Sequence, residues 1–188
     1  NHRARKIFRH EIGNFKNPDE LIFEERSAAF TVMISLSSDE KYYFISTSDH
    51  NTSEQYYFLV DEKKPQPKLI RKRKKGILYS VSSWDNKFYN HTNEQAEDFK
   101  IDVSESLENQ IWKPFIEPRK EVLIGSCVFL KNWIIRSETS NALEKLFVKN
   151  LSKGSEEELI FSDERVYVPN ISLRQKDRNT DEIYIGYS

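Results

Sequence analysis

A serine nucleophile in a hydrolase sheet sits in Gly-x-Ser-x-Gly, where a strand turns sharply into a helix and glycine lets the backbone pass. The nearest approach in the 188 residues is Gly125-Ser126-Cys127, which lacks the second glycine and lies inside an apolar run. That setting reads as sheet core, with Cys127 a buried and inert thiol rather than a nucleophile. Cys127 is also the single cysteine, so no internal disulfide can form; this fits a reducing compartment, and the cytoplasm is expected. None of the four histidines, His2, His10, His50 and His91, has a His or Cys at metal-ligand spacing. His91 closes a strand-like segment and reads as structural. No glycine-rich loop is available to cradle phosphate. The sequence therefore offers no catalytic residue, no cofactor-binding residue and no metal ligand, and no cofactor is expected.

Charge narrows the partners. With 29 basic and 30 acidic residues the net charge is −1, which gives no global field for nucleic acid or an anionic membrane. The local exception is the run from Lys68 to Lys75. It fits either a nucleic-acid or targeting patch, or an outer strand entering a solvated turn where lysines discourage edge pairing. The neutral balance favours the second. Glu156-Glu157-Glu158 reads as another solvated turn. Asn-X-Ser/Thr triplets at Asn51, Asn90, Asn150 and Asn170 are the number chance allows in an Asn- and Ser-rich chain. No apolar run reaches membrane-span length and no signal peptide opens the chain, which begins with Asn1.

The elements repeat. Glu20-Leu21-Ile22-Phe23 recurs as Glu158-Leu159-Ile160-Phe161, and Lys6-Ile7-Phe8 as Lys145-Leu146-Phe147. Both offsets are close to three steps of roughly 46 residues. Alternating segments begin at Phe30, Leu78, Leu123 and Val168. Aromatic-rich second strands are expected from Lys41, Lys87, Asn132 and Glu182, third strands at 55–60, 98–103 and 145–148, and fourth strands at 67–71, 112–116 and 158–161. The apolar period is two and no 3.6-residue stripe is sustained. Four short antiparallel strands per repeat is the pattern of a β-propeller blade. The expected fold is all-β: a propeller segment of about four blade equivalents across residues 1–188. It has a half blade at 6–25, whole blades at 30–71, 78–116 and 123–161, and a half blade at 167–187. With five glycines in the chain, Asn, Asp and Lys are expected to fill turns that usually take Gly.

These segments carry a resemblance. Arg9-His10-Glu11-Ile12-Gly13, followed by Asp19 to Glu25, is similar to the corresponding stretch of the oligopeptidase B (protease II) branch of the prolyl oligopeptidase family. Thr52-Ser53-Glu54 resembles a motif before one of its blade strands. Lys87-Phe88-Tyr89 with Thr92-Asn93 and Phe99, then Trp112 and Pro118-Arg119, follow in the same order. The chain departs from the pattern at Thr139 and Ala142, where the family has Arg and Gly, and at Ser83, where it has His. The resemblance implies a seven-bladed propeller over an α/β-hydrolase domain that holds a Ser/Asp/His triad, and a preference for short peptides cut after basic residues. No triad residue falls in this stretch, so none is carried over.

Three functional readings follow. The first is a substrate-gating propeller fragment of a serine peptidase. It is inactive alone and partnered by a chain bearing the hydrolase domain, or self-associating through open blade faces. The second is a stand-alone four-bladed binding module, closed by pairing 6–25 with 167–187 in one composite blade. The third, a nucleic-acid binder using the lysine run, is disfavoured by the charge balance, and no membrane partner is expected. The open arrangement is preferred over the closed ring.

Overall fold

The computed structural model describes residues 3–13, 18–160, 170–173 and 179–186. It is all-β, and no helix among the described residues is long and apolar enough to cross a membrane. Sheet I pairs β1 (Lys6–Arg9) with β2 (Glu20–Glu24). Sheet II runs in order β3 (Thr31–Leu36), β4 (Tyr42–Ser48), β5 (Ser53–Leu59) and β6 (Lys68–Arg71). Sheet III is β7 (Tyr79–Trp84), β8 (Lys87–Thr92), β9 (Lys100–Ser104) and β10 (Lys113–Ile116). Sheet IV is β11 (Leu123–Phe129), β12 (Trp133–Ser140), β13 (Leu143–Asn150) and β14 (Glu156–Glu158). Sheet V pairs β15 (Asn170–Leu173) with β16 (Ile183–Gly186). The strands fall into two compact units, one holding sheets I, II and most of III, the other holding IV and V.

Sheet II shows why the sequence reads as aromatic runs rather than as apolar alternating with polar. Both of its faces are buried, so successive side chains of Tyr42-Tyr43-Phe44-Ile45 and Tyr56-Tyr57-Phe58 enter two different cores. Ile45 and Phe58, with Tyr43 and Tyr56, pack on Ile7, Ile22 and Phe23 of sheet I. Phe44 and Tyr57 face the other way, onto Tyr79, Val81 and Phe88 of sheet III. In the second unit Ile135, Leu146 and Val148 pack against Ile183 and Ile185.

Sheets I and V are separate two-stranded ladders. Phe8 (52% exposed) and Tyr184 (61% exposed) are both open to solvent.

Two expectations need correction. The fourth strand of sheet IV is Glu156–Glu158, not 158–161, of which Phe161 lies outside the described residues. Phe8 faces Leu21 in sheet I, but Phe147 faces Glu158 rather than Leu159, so the repeated Glu-Leu-Ile-Phe segments occupy different registers. The physical cause is Arg136, 2% exposed, on the next strand but one. Its guanidinium reaches Glu156 through two hydrogen bonds of 2.6 and 2.8 Å and Glu138 through one of 2.7 Å, and it lies over the Phe147 ring. Arg119 also pairs with Glu138. A fork-shaped cation that has left water needs such partners, and Glu156 supplies them only when β14 is set at this register. The acidic triplet is thus a strand, not a solvated turn.

The turns also differ in part. Asp85-Asn86 and Asn141-Ala142 hold paired left-handed conformations in two-residue hairpin loops, with φ of 49°, 58°, 51° and 60°. Glu40, Gln95, Gln110 and Glu121 take positive φ as well, but no lysine among the described residues does. Ala142 sits where the related family has Gly, and its Cβ crowds the backbone there.

Two outcomes are expected. Ala142→Gly should raise unfolding free energy by about 1 kcal/mol in urea titration, by relieving the left-handed strain. Glu156→Gln should lower it by about 1 kcal/mol, because the partly exposed Glu156 loses its charge while Arg136 keeps Glu138. The hydrogen bonds from Arg136 hold the Glu156 carboxyl below its ordinary value of 4.5. That contribution is complete above the ordinary value and is lost as pH falls through the depressed one. The stability gap between wild type and Glu156→Gln should therefore narrow below about pH 4.5.

Candidate functional site

The residues singled out for chemistry do not converge. Cys127 is half-buried, and desolvation pushes its thiol up to about 12, so it is not a thiolate at neutral pH. Gly125 lies at an irregularity of the β11–β12 ladder, where a Cβ would collide with the Ser137 hydroxyl; it is a packing glycine. His10 pairs with Asp19 at 2.7 Å on the exposed end of sheet I. His91 lies within β8, and His2 is outside the described residues. No group of three or more His, Cys, Asp or Glu side chains among the described residues is placed to hold a metal. Asn90 (3% exposed) and Asn150 (8% exposed) are buried, and Asn150 Oδ1 accepts hydrogen bonds from Ser152 and Lys153. Neither is open to glycosylation in the folded chain.

The basic run is only partly the solvated turn expected of it. Lys72, Lys74 and Lys75 are exposed, but Arg71 and Arg73 turn inward. Arg73 donates to the buried Glu25 at 2.8 Å and lies over the Phe30 ring, while Arg71 donates to Glu94 at 2.5 Å and lies over Tyr79. These pairs remove two of its strongest charges from any nucleic-acid surface.

What the fold builds instead is a rigid seam between sheets II and III. The outer edge of β7 has no partner strand, and two side chains of β5 take that place. Ser53 Oγ donates to the Tyr79 carbonyl at 2.8 Å and accepts from the Tyr79 N–H at 2.7 Å. Gln55 repeats the pattern one pleat on, accepting from the Val81 N–H at 2.8 Å and donating to the Val81 carbonyl at 3.3 Å. In return Tyr79 inserts its hydroxyl into the β5–β6 bulge, accepting from the Gln55 N–H at 2.8 Å and donating to the Arg71 carbonyl at 2.6 Å. Burial pushes that hydroxyl up to about 12, which keeps its proton on. Farther along β7, Ser83 donates to Asp39 at 2.6 Å, so the serine that replaces the family's histidine is itself a seam residue.

Where the seam opens to solvent it leaves a concavity of about 250 Å³. Tyr42, Tyr57 and Phe88 wall it, with Tyr42 edge-on to the other two at 6.1 and 5.4 Å between ring centroids. Glu62, Glu105 and Glu108 line it as well. Burial raises the Tyr57 hydroxyl, and the negative charge of Glu108 adds to the shift. Lys68 shares the concavity, its ammonium 3.8 Å from Glu108. Sequence reading missed this site because its parts come from β4, β5, β6, β8 and the loop after β9, and only the sheet stacking brings them together. Aromatic rings beside carboxylates can bind a cation; they cannot cut a bond.

Comparison with known proteins gives a consistent result. The family model for the prolyl oligopeptidase N-terminal β-propeller domain matches residues 1–188. Protease 2 of Moraxella lacunata is 28% identical over 191 residues, covering 98% of this chain and 26% of that protein. Dipeptidyl aminopeptidase BI of Pseudoxanthomonas mexicana is 23% identical over 98% of this chain and 25% of its own length. Among solved structures, oligopeptidase B from Trypanosoma brucei with covalently bound antipain superposes with a TM-score of 0.90 at 22% identity, over 99% of this chain and 28% of that one. The chain thus spans about a quarter of the length of the proteins it matches.

The seam predicts its own weak point. Gln55→Met keeps the side-chain volume but leaves the Val81 N–H and carbonyl buried without partners. It should destabilise the first unit by about 2 kcal/mol in chemical denaturation, with amide exchange faster in β7 than in β12.

Proposed function

The chain belongs to the prolyl oligopeptidase family, as part of its N-terminal β-propeller, and from that premise we propose that it is the non-catalytic, substrate-gating segment of a serine oligopeptidase that cleaves short peptides after basic residues. The observation that carries the reading is the propeller-domain match across residues 1–188. The preference for basic residues rests on likeness to the oligopeptidase B branch and is part of the proposal. The nucleophile, base and acid belong in this reading to a hydrolase domain, either continuing the same polypeptide or carried on a separate chain in the cytoplasm. The propeller segment acts sterically. Stacked sheets locked by the Ser53 and Gln55 seam form a wall that does not yield, so a short extended peptide passes and a folded protein does not.

The purified chain should show no turnover of short fluorogenic peptides with Arg or Lys before the scissile bond. Turnover that survives purification and is blocked by a serine-directed inhibitor would overturn the reading. In a chimera, this chain would replace the matching quarter of Moraxella lacunata Protease 2. It should cleave the short peptides yet leave a folded protein bearing the same sequence in a surface loop intact; cleavage of both would remove the gating role.

A further inference from the structure

We draw no further inference here: the strongest candidate, the exposed apolar edge of β3 at Met33, Ile34 and Leu36, carries nothing because no feature of the structure shows what covers it.

Discussion

A β-strand edge that is buried without a partner strand leaves a row of N–H and carbonyl groups unsatisfied, and each such group costs roughly 1–3 kcal/mol. The outer edge of β7 faces that cost, and the side chains of Ser53 and Gln55 remove it by presenting a donor and an acceptor each at the spacing of a neighbouring backbone. Much of the first unit depends on this substitution. It fixes the height of sheet II against sheet III, and so the mating of Phe44 and Tyr57 with Val81 and Phe88. The Tyr79 hydroxyl, entering the bulge of β5 from the opposite side, makes the lock reciprocal. Neither sheet can slide by a residue without stranding polar groups on both.

The second unit meets a related constraint with charge. Arg136 is buried on β12 and must find carboxylates within the sheet. Glu138 beside it and Glu156 on β14 satisfy it, and the strand that brings Glu156 takes its register from that pairing. Polar pairing therefore sets register in both units, while apolar burial supplies the bulk of the stabilisation. Sheets I and V show the other side of this economy: Phe8, Leu21 and Tyr184 are large side chains that stand exposed. In the longer proteins that this chain resembles, the matched segment is about a quarter of the whole.

The family motifs acquire physical meaning from these contacts. In Thr52-Ser53-Glu54, Thr52 accepts from the Gly76 N–H, Ser53 caps the β7 edge, and Glu54 accepts from the Arg73 N–H and the Tyr56 hydroxyl. The departures are absorbed in different ways. Ser83 finds Asp39, and Glu138 finds Arg119 and Arg136 where the family's adjacent arginine is missing. Ala142 stays in a left-handed conformation that glycine would hold without strain.

By itself the sequence determined the fold class, because period-two alternation, turn clusters and a recurring interval are local properties of the chain. It also determined the absence of a nucleophile elbow, which is a matter of residue order. That Tyr42 to Ile45 are buried on both faces of sheet II was decided by the stacking of sheets I and III on it. The position of β14, the inward turn of Arg71 and Arg73, and the concavity at Tyr42 were decided only in three dimensions. Each depends on partners many residues away, and a charged side chain shows no sign in sequence of whether its counter-ion will be water or a buried carboxylate. The repeated Glu-Leu-Ile-Phe segment is the sharpest case. Its two copies read alike, yet the second is displaced in register, with Glu156 rather than a residue of the repeated segment placed to meet Arg136.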